Sequence, residues 1–195
     1  MYWVGNDGGI HQYAVNTTGA TSLSKNNNYN VTQFYTGAFF PAGTNSNGGT
    51  QDNGTQLLDS GNQEFFHVFG GDGSFTQVSQ QNPAISYVSY QNGMIFKATD
   101  AYSGGAPNQN PTYEICLNEL DANQDYSVDE TTWFINPFEI NPLNGNQVFY
   151  VTKNGLWRSN NAASNWTKIT ESLTDPYSIG ISRNANPTVY LGGAN

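Results

Sequence analysis

The sequence predicts an all-β fold built from a repeated four-stranded unit, and three observations carry that prediction. First, aromatics make up 14% of the 195 residues and charged residues only 11%, against about a quarter charged in an average globular chain. Aromatic and β-branched runs punctuated by Gly and Asn belong to strands and tight turns. Second, a pattern of apolar run, Asn-Gly and second apolar run recurs, most clearly in VFYVTKNGLW at residues 148–157. Asn154-Gly155 there predicts a type I′ hairpin, whose two central residues need positive φ. Third, an Asn-Pro step lies upstream of three copies, at Asn82-Pro83, Asn141-Pro142 and Asn186-Pro187. Proline cannot donate to a strand ladder, so each step marks a turn between strands.

The unit is therefore strand, Asn-Pro turn, strand, Asn-Gly turn, strand, and a weaker fourth strand. Units repeat roughly every 40–45 residues, the period of a β-propeller blade. The expected fold is all-β, a β-propeller segment of about four to five four-stranded blades in a single domain over residues 1–195. Residues 1–30 read as the later strands of one blade. A second blade covers 31–74, entered by Val31-Thr32-Gln33-Phe34-Tyr35. A third covers 75–130 and carries an acidic insertion at about 100–131. Residues 131–175 form a fourth, and 176–195 half of a fifth. In the run Val148, Phe149, Tyr150, Val151 the alternation of polar and apolar side chains fails, as expected of strands buried on both faces. A β-sandwich also has short, evenly spaced strands, but the repeated Asn-Pro and Asn-Gly landmarks favour the propeller.

The formal net charge is −9, with six Lys and Arg against 15 Asp and Glu. That argues against nucleic acid, whose phosphates need clustered cations, and against an anionic membrane surface. No apolar run approaches the roughly 18 residues that span a bilayer. Cys116 is the only cysteine, so no internal disulfide can form. It reads as a small buried hydrophobe, and neither His11 nor His67 shows a motif that would activate it. Sparse charge, acidity and an Asn/Thr/Gly/aromatic composition without disulfides suit a bacterial exported protein, so the expected location is extracellular or at the cell surface. No signal peptide is visible, and Tyr2-Trp3-Val4-Gly5 already reads as a strand. The sequence is therefore expected to begin inside a larger protein.

At Ser159 to Trp166 a known motif comes into view. Ser159, Asn161, Ala163, Asn165 and Trp166 occupy the positions of Ser, Asp, Gly, Thr and Trp in Ser-x-Asp-x-Gly-x-Thr-Trp. The stretch resembles the Asp-box of BNR-type, sialidase-like propellers. Gly49-Thr50-Gln51-Asp52-Asn53-Gly54-Thr55 followed by Gly70-Gly71-Asp72-Gly73 is similar to a pair found in large secreted bacterial members, which are related in fold to sortilin and to xyloglucanase-type glycoside hydrolases. The resemblance implies that the box is structural. Its Ser and the residue in the Asp position would tie the turn between third and fourth strands, and Trp166 would pack between blades.

Activities of that family set specific demands. Sialidases hold a carboxylate with three arginines, whereas this chain has only Arg158 and Arg183. Xyloglucanase-type hydrolysis needs two carboxylates across a glycosidic bond. Asp7, Asp52 and Asp72 are the catalytic candidates, since each lies in a Gly-flanked turn, although turns of positive φ select the same residues. Asp52 with Gln51 and Asn53 is the candidate ligand-binding group, because its polar neighbours suit sugar hydroxyls. Tyr2, Trp3, Tyr13, Phe39, Phe40, Tyr102 and Trp133 are candidates for stacking on sugar rings or for packing. In the insertion, Asp121, Asn123, Asp125, Ser127 and Asp129, with Glu130, place oxygens at alternate positions, as in calcium loops. Tyr126 stands where such loops turn on Gly, and Thr132 where they place a bidentate acid. Structural calcium and a metal-free acidic loop both remain open.

The function expected from these residues is a non-catalytic scaffold or binding module for carbohydrate or a protein partner. A glycoside hydrolase with paired carboxylates is the alternative. Self-association through open blade edges is a third expectation.

Overall fold

The computed structural model describes residues 1–6, 9–26, 32–41, 43–61, 63–116, 132–153, 155–170, 173 and 175–193. The chain is all-β, with several small antiparallel sheets, and it divides into two compact units, 1–32 and 33–195.

In the first unit β1 (Tyr2–Asn6), β2 (Gly9–Asn16) and β3 (Gly19–Ser24) form a meander. Asn6 pairs with Gly9, so two residues connect β1 and β2. None of its described residues is buried. Tyr2, Trp3 and Val15 are each about 60% exposed.

The second unit repeats one plan. β4 (Phe34–Phe39), β5 (Ser46–Thr50), β6 (Thr55–Asp59) and β7 (Glu64–Phe69) form the first four-stranded sheet. The second contains β8 (Thr76–Val78), β9 (Ser86–Ser89), β10 (Ile95–Ala98) and β13 (Tyr113–Ile115), with the small hairpin β11 (Tyr102–Ser103) and β12 (Ala106–Pro107) between its last two strands. The third contains β14 (Phe138–Ile140), β15 (Val148–Val151), β16 (Leu156–Ser159) and β17 (Thr167–Thr170). β18 (Pro176–Ile181) and β19 (Val189–Gly193) pair as a fourth, two-stranded sheet.

The Asn-Pro steps fall between first and second strands, as their chemistry requires. The Asn82 side chain accepts from Ala84 N at 3.2 Å, and Asn141 from Leu143 N at 2.9 Å. These are Asx turns closed by the residue that precedes proline. The Asn-Gly hairpin differs from its expected form. Val151 pairs with Leu156, which leaves four residues in the turn, and Thr152 N donates to Gly155 O at 3.0 Å. Gly155 is not among the positive-φ glycines, so a type I′ turn centred on Asn154-Gly155 does not form. Asn154 itself lies outside the described residues.

The sheets pack face against face in chain order. Ala38, Phe40 and Leu57 of the first meet Val78, Ala98 and Ala101 of the second. Tyr87 and Ile95 of the second meet Phe138, Val148, Tyr150 and Trp166 of the third. Phe149, Val151 and Leu156 of the third meet Ile179, Val189 and Leu191 of the fourth. All four residues of β15 are buried, because alternate side chains enter different cores. A two-layer sandwich has one such core, whereas here the second and third sheets are covered on both faces.

First strands of successive sheets are neighbours: β4 with β8, β8 with β14, β14 with β18. Thr36 Oγ1 joins β4 to β8 by donating to Ser74 O at 3.2 Å and accepting from Thr76 N at 3.1 Å. Between the second and third sheets, Tyr150 Oη donates to Gly93 O and Trp166 Nε1 to Cys116 O, both at 2.9 Å. Lys97 Nζ reaches Ala162 O at the same distance. Buried polar groups need such partners, and here each partner belongs to the neighbouring sheet.

The turn after β16 is tied by its own side chains. Ser159 Oγ accepts from Ala163 N at 2.9 Å and donates to Asn161 Oδ1 at 2.9 Å. Asn161 Oδ1 also accepts from Asn165 N at 2.9 Å. Ala163 has φ 61°, a conformation that glycine adopts without strain. Asn161→Ala is expected to cost about 1–3 kcal/mol, because it strands the buried Ser159 hydroxyl. Asn161→Asp keeps the acceptor and loses only the exposed Nδ2 donation to Asn165 Oδ1 at 3.0 Å, so it should cost less, about 1 kcal/mol or under. Urea midpoints at unchanged m-value check both.

Candidate functional site

Of the polar residues singled out in the sequence, Gln51, Asp52, Asn53 and Asp72 lie at the end of the sheets that carries the second-to-third-strand turns. In the first sheet Thr50 N donates to Gly54 O at 2.9 Å, and Thr50 Oγ1 to the same carbonyl at 2.7 Å. That closes a turn whose tip is Gln51, Asp52 and Asn53, all exposed. Asp52 has φ 61°, and Asp and Asn tolerate that region better than most residues. The second sheet repeats the turn, with Tyr90 N donating to Met94 O at 3.0 Å and Asn92 at φ 62°.

The segment between β7 and β8 locks onto this tip. Asp72 Oδ1 accepts from Asp52 N at 2.8 Å. Gln91 Oε1, from the next sheet's turn, accepts from Asp72 N at 3.2 Å. The two Gly-rich motifs, Gly49 to Thr55 and Gly70 to Gly73, are therefore two halves of one contact. Gly49 permits it, since a Cβ there would collide with the Ser74 carbonyl.

The same end continues across the second and third sheets. Asn92 N donates to Phe134 O at 2.9 Å. Trp133 Nε1 donates to Pro176 O at 3.2 Å, and its ring meets Tyr177 edge-on at 5.5 Å. The Lys153 ammonium lies 4.5 Å from the centre of the Trp133 ring. Turn tips and inter-sheet connections thus form a connected rim of amides, carboxylates and aromatics.

Electrostatics at the rim are modest. The Tyr35 phenol is held above its ordinary value, first by burial and then by the Asp72 and Asp52 carboxylates. It stays a neutral hydroxyl, able to donate and to accept. Burial alone raises Glu139, on β14, above the usual carboxylate range. Glu139 pairs directly with Phe149 and so shares the face that packs toward β18. The Cys116 thiol is pushed up to about 12 by burial, with Lys97 pulling the other way. A thiol so rarely ionised is a poor nucleophile.

Asp52 and Asp72, both catalytic candidates from the sequence, are brought together by a backbone cap, Asp72 Oδ1 on Asp52 N. Asp7 lies outside the described residues, as do Asp121, Asn123, Asp125, Ser127, Asp129 and Glu130 of the calcium-type loop. Among the described residues no group of three or more His, Cys, Asp or Glu could hold a metal ion. Of the aromatic candidates, Phe40 is core, whereas Phe39 is 66% and Trp3 61% exposed. Sequence reasoning missed Tyr35, Gln91, Lys153 and Tyr177. Each reaches the rim through a contact between separate sheets or turns, which no local motif announces. Neither a protein-family model nor a curated protein matches this chain.

Proposed function

We propose that the chain is a BNR/Asp-box-type β-propeller segment, extracellular or at the cell surface, acting as a non-catalytic module that binds carbohydrate through the turn rim. The observation that carries this reading is the exposed Gln51-Asp52-Asn53 tip held by Asp72. It offers amide donors and carboxylate acceptors on a fixed backbone, the groups that sugar hydroxyls need. The propeller assignment is supported by consecutive antiparallel sheets, adjoining first strands and cores between successive sheets.

Hydrolysis is the second reading. It needs two carboxyl groups about 5–9.5 Å apart across the scissile bond, and here one oxygen of Asp72 is already engaged in capping Asp52 N.

A glycan array followed by calorimetry on the best hit tests the proposal. Gln51→Ala should weaken binding by about fivefold, one net hydrogen bond of about 1 kcal/mol. Asp52→Asn keeps the positive-φ backbone and removes the negative charge. It should leave the glycan chemically unchanged, as the parent does. Turnover by the parent that disappears in Asp52→Asn would establish the hydrolase instead.

A further inference from the structure

Asparagine precedes proline at positions 83, 111, 137, 142 and 187. Three of those asparagines spend their side-chain oxygen on a backbone N–H. Asn82 accepts from Ala84 N at 3.2 Å, Asn136 from Trp133 N at 2.7 Å and Asn141 from Leu143 N at 2.9 Å. Asp175-Pro176 is the one Asp-Pro step in the sequence. It joins the third sheet to the fourth, and both its backbone and its side chain depart from the Asn-Pro pattern.

The backbone is strained there. Asp175 has φ 43°, whereas the residue before a proline is driven toward extended backbone at negative φ. The neighbours on both sides of the bond are fixed. Pro176 is buried and pairs with Gly193, and its carbonyl accepts from Trp133 Nε1 at 3.2 Å. The Asp175 carbonyl oxygen is pressed against Gly193, where an added Cβ would lie 2.6 Å from it. Leu173 before the step and Ile179 after it pack against the same core of Phe149, Val151 and Leu156. A strained residue persists when its surroundings over-determine it in this way, and such residues gather at functional sites.

The side chain is uncommitted. Asp175 is half-buried, and among the described residues its carboxylate has no hydrogen-bond or ion-pair partner. The titratable and charged groups on the elements around it are Glu139 on β14, Lys153 after β15, Arg158 on β16, Tyr177 on β18 and Tyr190 on β19. None of these is bonded to it. The carboxylate is therefore free to meet the electrophile that is always within its reach, the carbonyl carbon of its own residue. The leaving group also differs from that of an ordinary peptide bond. Pro176 N belongs to a tertiary amide and departs as a secondary amine, which binds a proton readily.

We propose that the bond between Asp175 and Pro176 is a self-cleavage site of the folded chain. An oxygen of the Asp175 carboxylate bonds to the carbonyl carbon of its own residue. The bond from that carbon to Pro176 N breaks as the nitrogen takes a proton from solvent, and a cyclic anhydride is left on Asp175. Water then opens the anhydride and releases a proton, so the net reaction is hydrolysis to a new carboxyl end and a new amino end. Breaking the bond frees Asp175 from its positive φ, which favours the folded chain over an unstrained one by about tenfold in rate. Both pieces stay in place, since Leu173 and Ile179 share one core. The reaction needs water and a proton but no ligand, so it is independent of carbohydrate binding at the rim.

Mass spectrometry of the whole chain, denatured after incubation, tests this. The incubation is run at the lowest pH at which near-ultraviolet circular dichroism is still native, because the departing nitrogen must be protonated. Pieces 1–175 and 176–195 should accumulate. A synthetic peptide of residues 168–182 carries the same dipeptide without the fold, and at that pH it should cleave about tenfold more slowly. Asp175→Asn has no bonded partner to lose, so it should leave the thermal midpoint unchanged and abolish cleavage. Asp175→Glu must close a larger ring and should slow it. A parent that stays intact, a peptide that cleaves as fast as the parent, or undiminished cleavage in Asp175→Asn would overturn the proposal.

Discussion

Trp166→Ala is expected to lower the unfolding free energy by about 3–5 kcal/mol, the range for large aromatic truncations in cores. Trp166 is 7% exposed and stands edge-on to Tyr150 at 6.0 Å. It belongs to the cluster that joins the second and third sheets, with Tyr87, Ile95 and Phe138. Its Nε1 donates across that junction to Cys116 O at 2.9 Å. Truncation therefore opens a cavity and leaves a carbonyl without its donor at the same place. Trp166→Phe refills part of the volume but not the hydrogen bond, and should cost about 1–3 kcal/mol. A second readout separates a local from a global effect. Cys116 packs beside this cluster, so thiol labelling under native conditions should accelerate in Trp166→Ala more than its global stability loss accounts for. A loss under about 1 kcal/mol, with unchanged labelling, would mean that Trp166 is not an anchor between the sheets.

Much of this architecture was legible because the repeated turns are local chemistry. Asn82-Pro83 and Asn141-Pro142 place a side-chain acceptor two residues ahead of the N–H it caps, so the sequence alone marks the strand ends. The failed alternation at Val148 to Val151 likewise has a direct cause, since each face of β15 enters a different core. The type I′ turn at Asn154-Gly155 was misjudged because Thr152 supplies both a backbone and a hydroxyl donor to Gly155 O. Those bonds close a wider turn than the dipeptide suggests.

The candidate site was legible residue by residue and not as a constellation. Asp52 and Asp72 each look like a turn residue that is also a potential acid. Only the fold shows that 20 positions apart they meet through a cap. The Trp133, Lys153 and Tyr177 group is assembled from an inter-sheet connection, a turn and the start of β18. Nothing in the spacing of those residues announces it.

Gly49→Ala is expected to cost about 3 kcal/mol or more. Overpacking commonly costs about 1–3 kcal/mol when side chains can move aside. Here the obstacle is the Ser74 backbone, with its carbonyl carbon 2.7 Å and its nitrogen 2.9 Å from the added Cβ. No rotamer change relieves that clash. Gly49 sits in β5 between Thr36 and Thr55, so retreat on its own side is blocked by two ladders. The segment that must yield is 70–74, which carries Asp72. Displacing it breaks the cap on Asp52 N and loosens the Gln51-Asp52-Asn53 tip. Gly49→Ala should therefore weaken any rim ligand even at temperatures where the chain remains folded. Gly180→Ala is the control. It lies in β18, has no atom within 4 Å of an added Cβ, and does not adopt a positive φ. Removing a strand glycine there should stabilise by about 0.4–1 kcal/mol. Thermal midpoints of the two variants should move in opposite directions. If both rise, the junction between residues 49 and 74 is looser than its geometry indicates, and the rim is not a pre-organised surface.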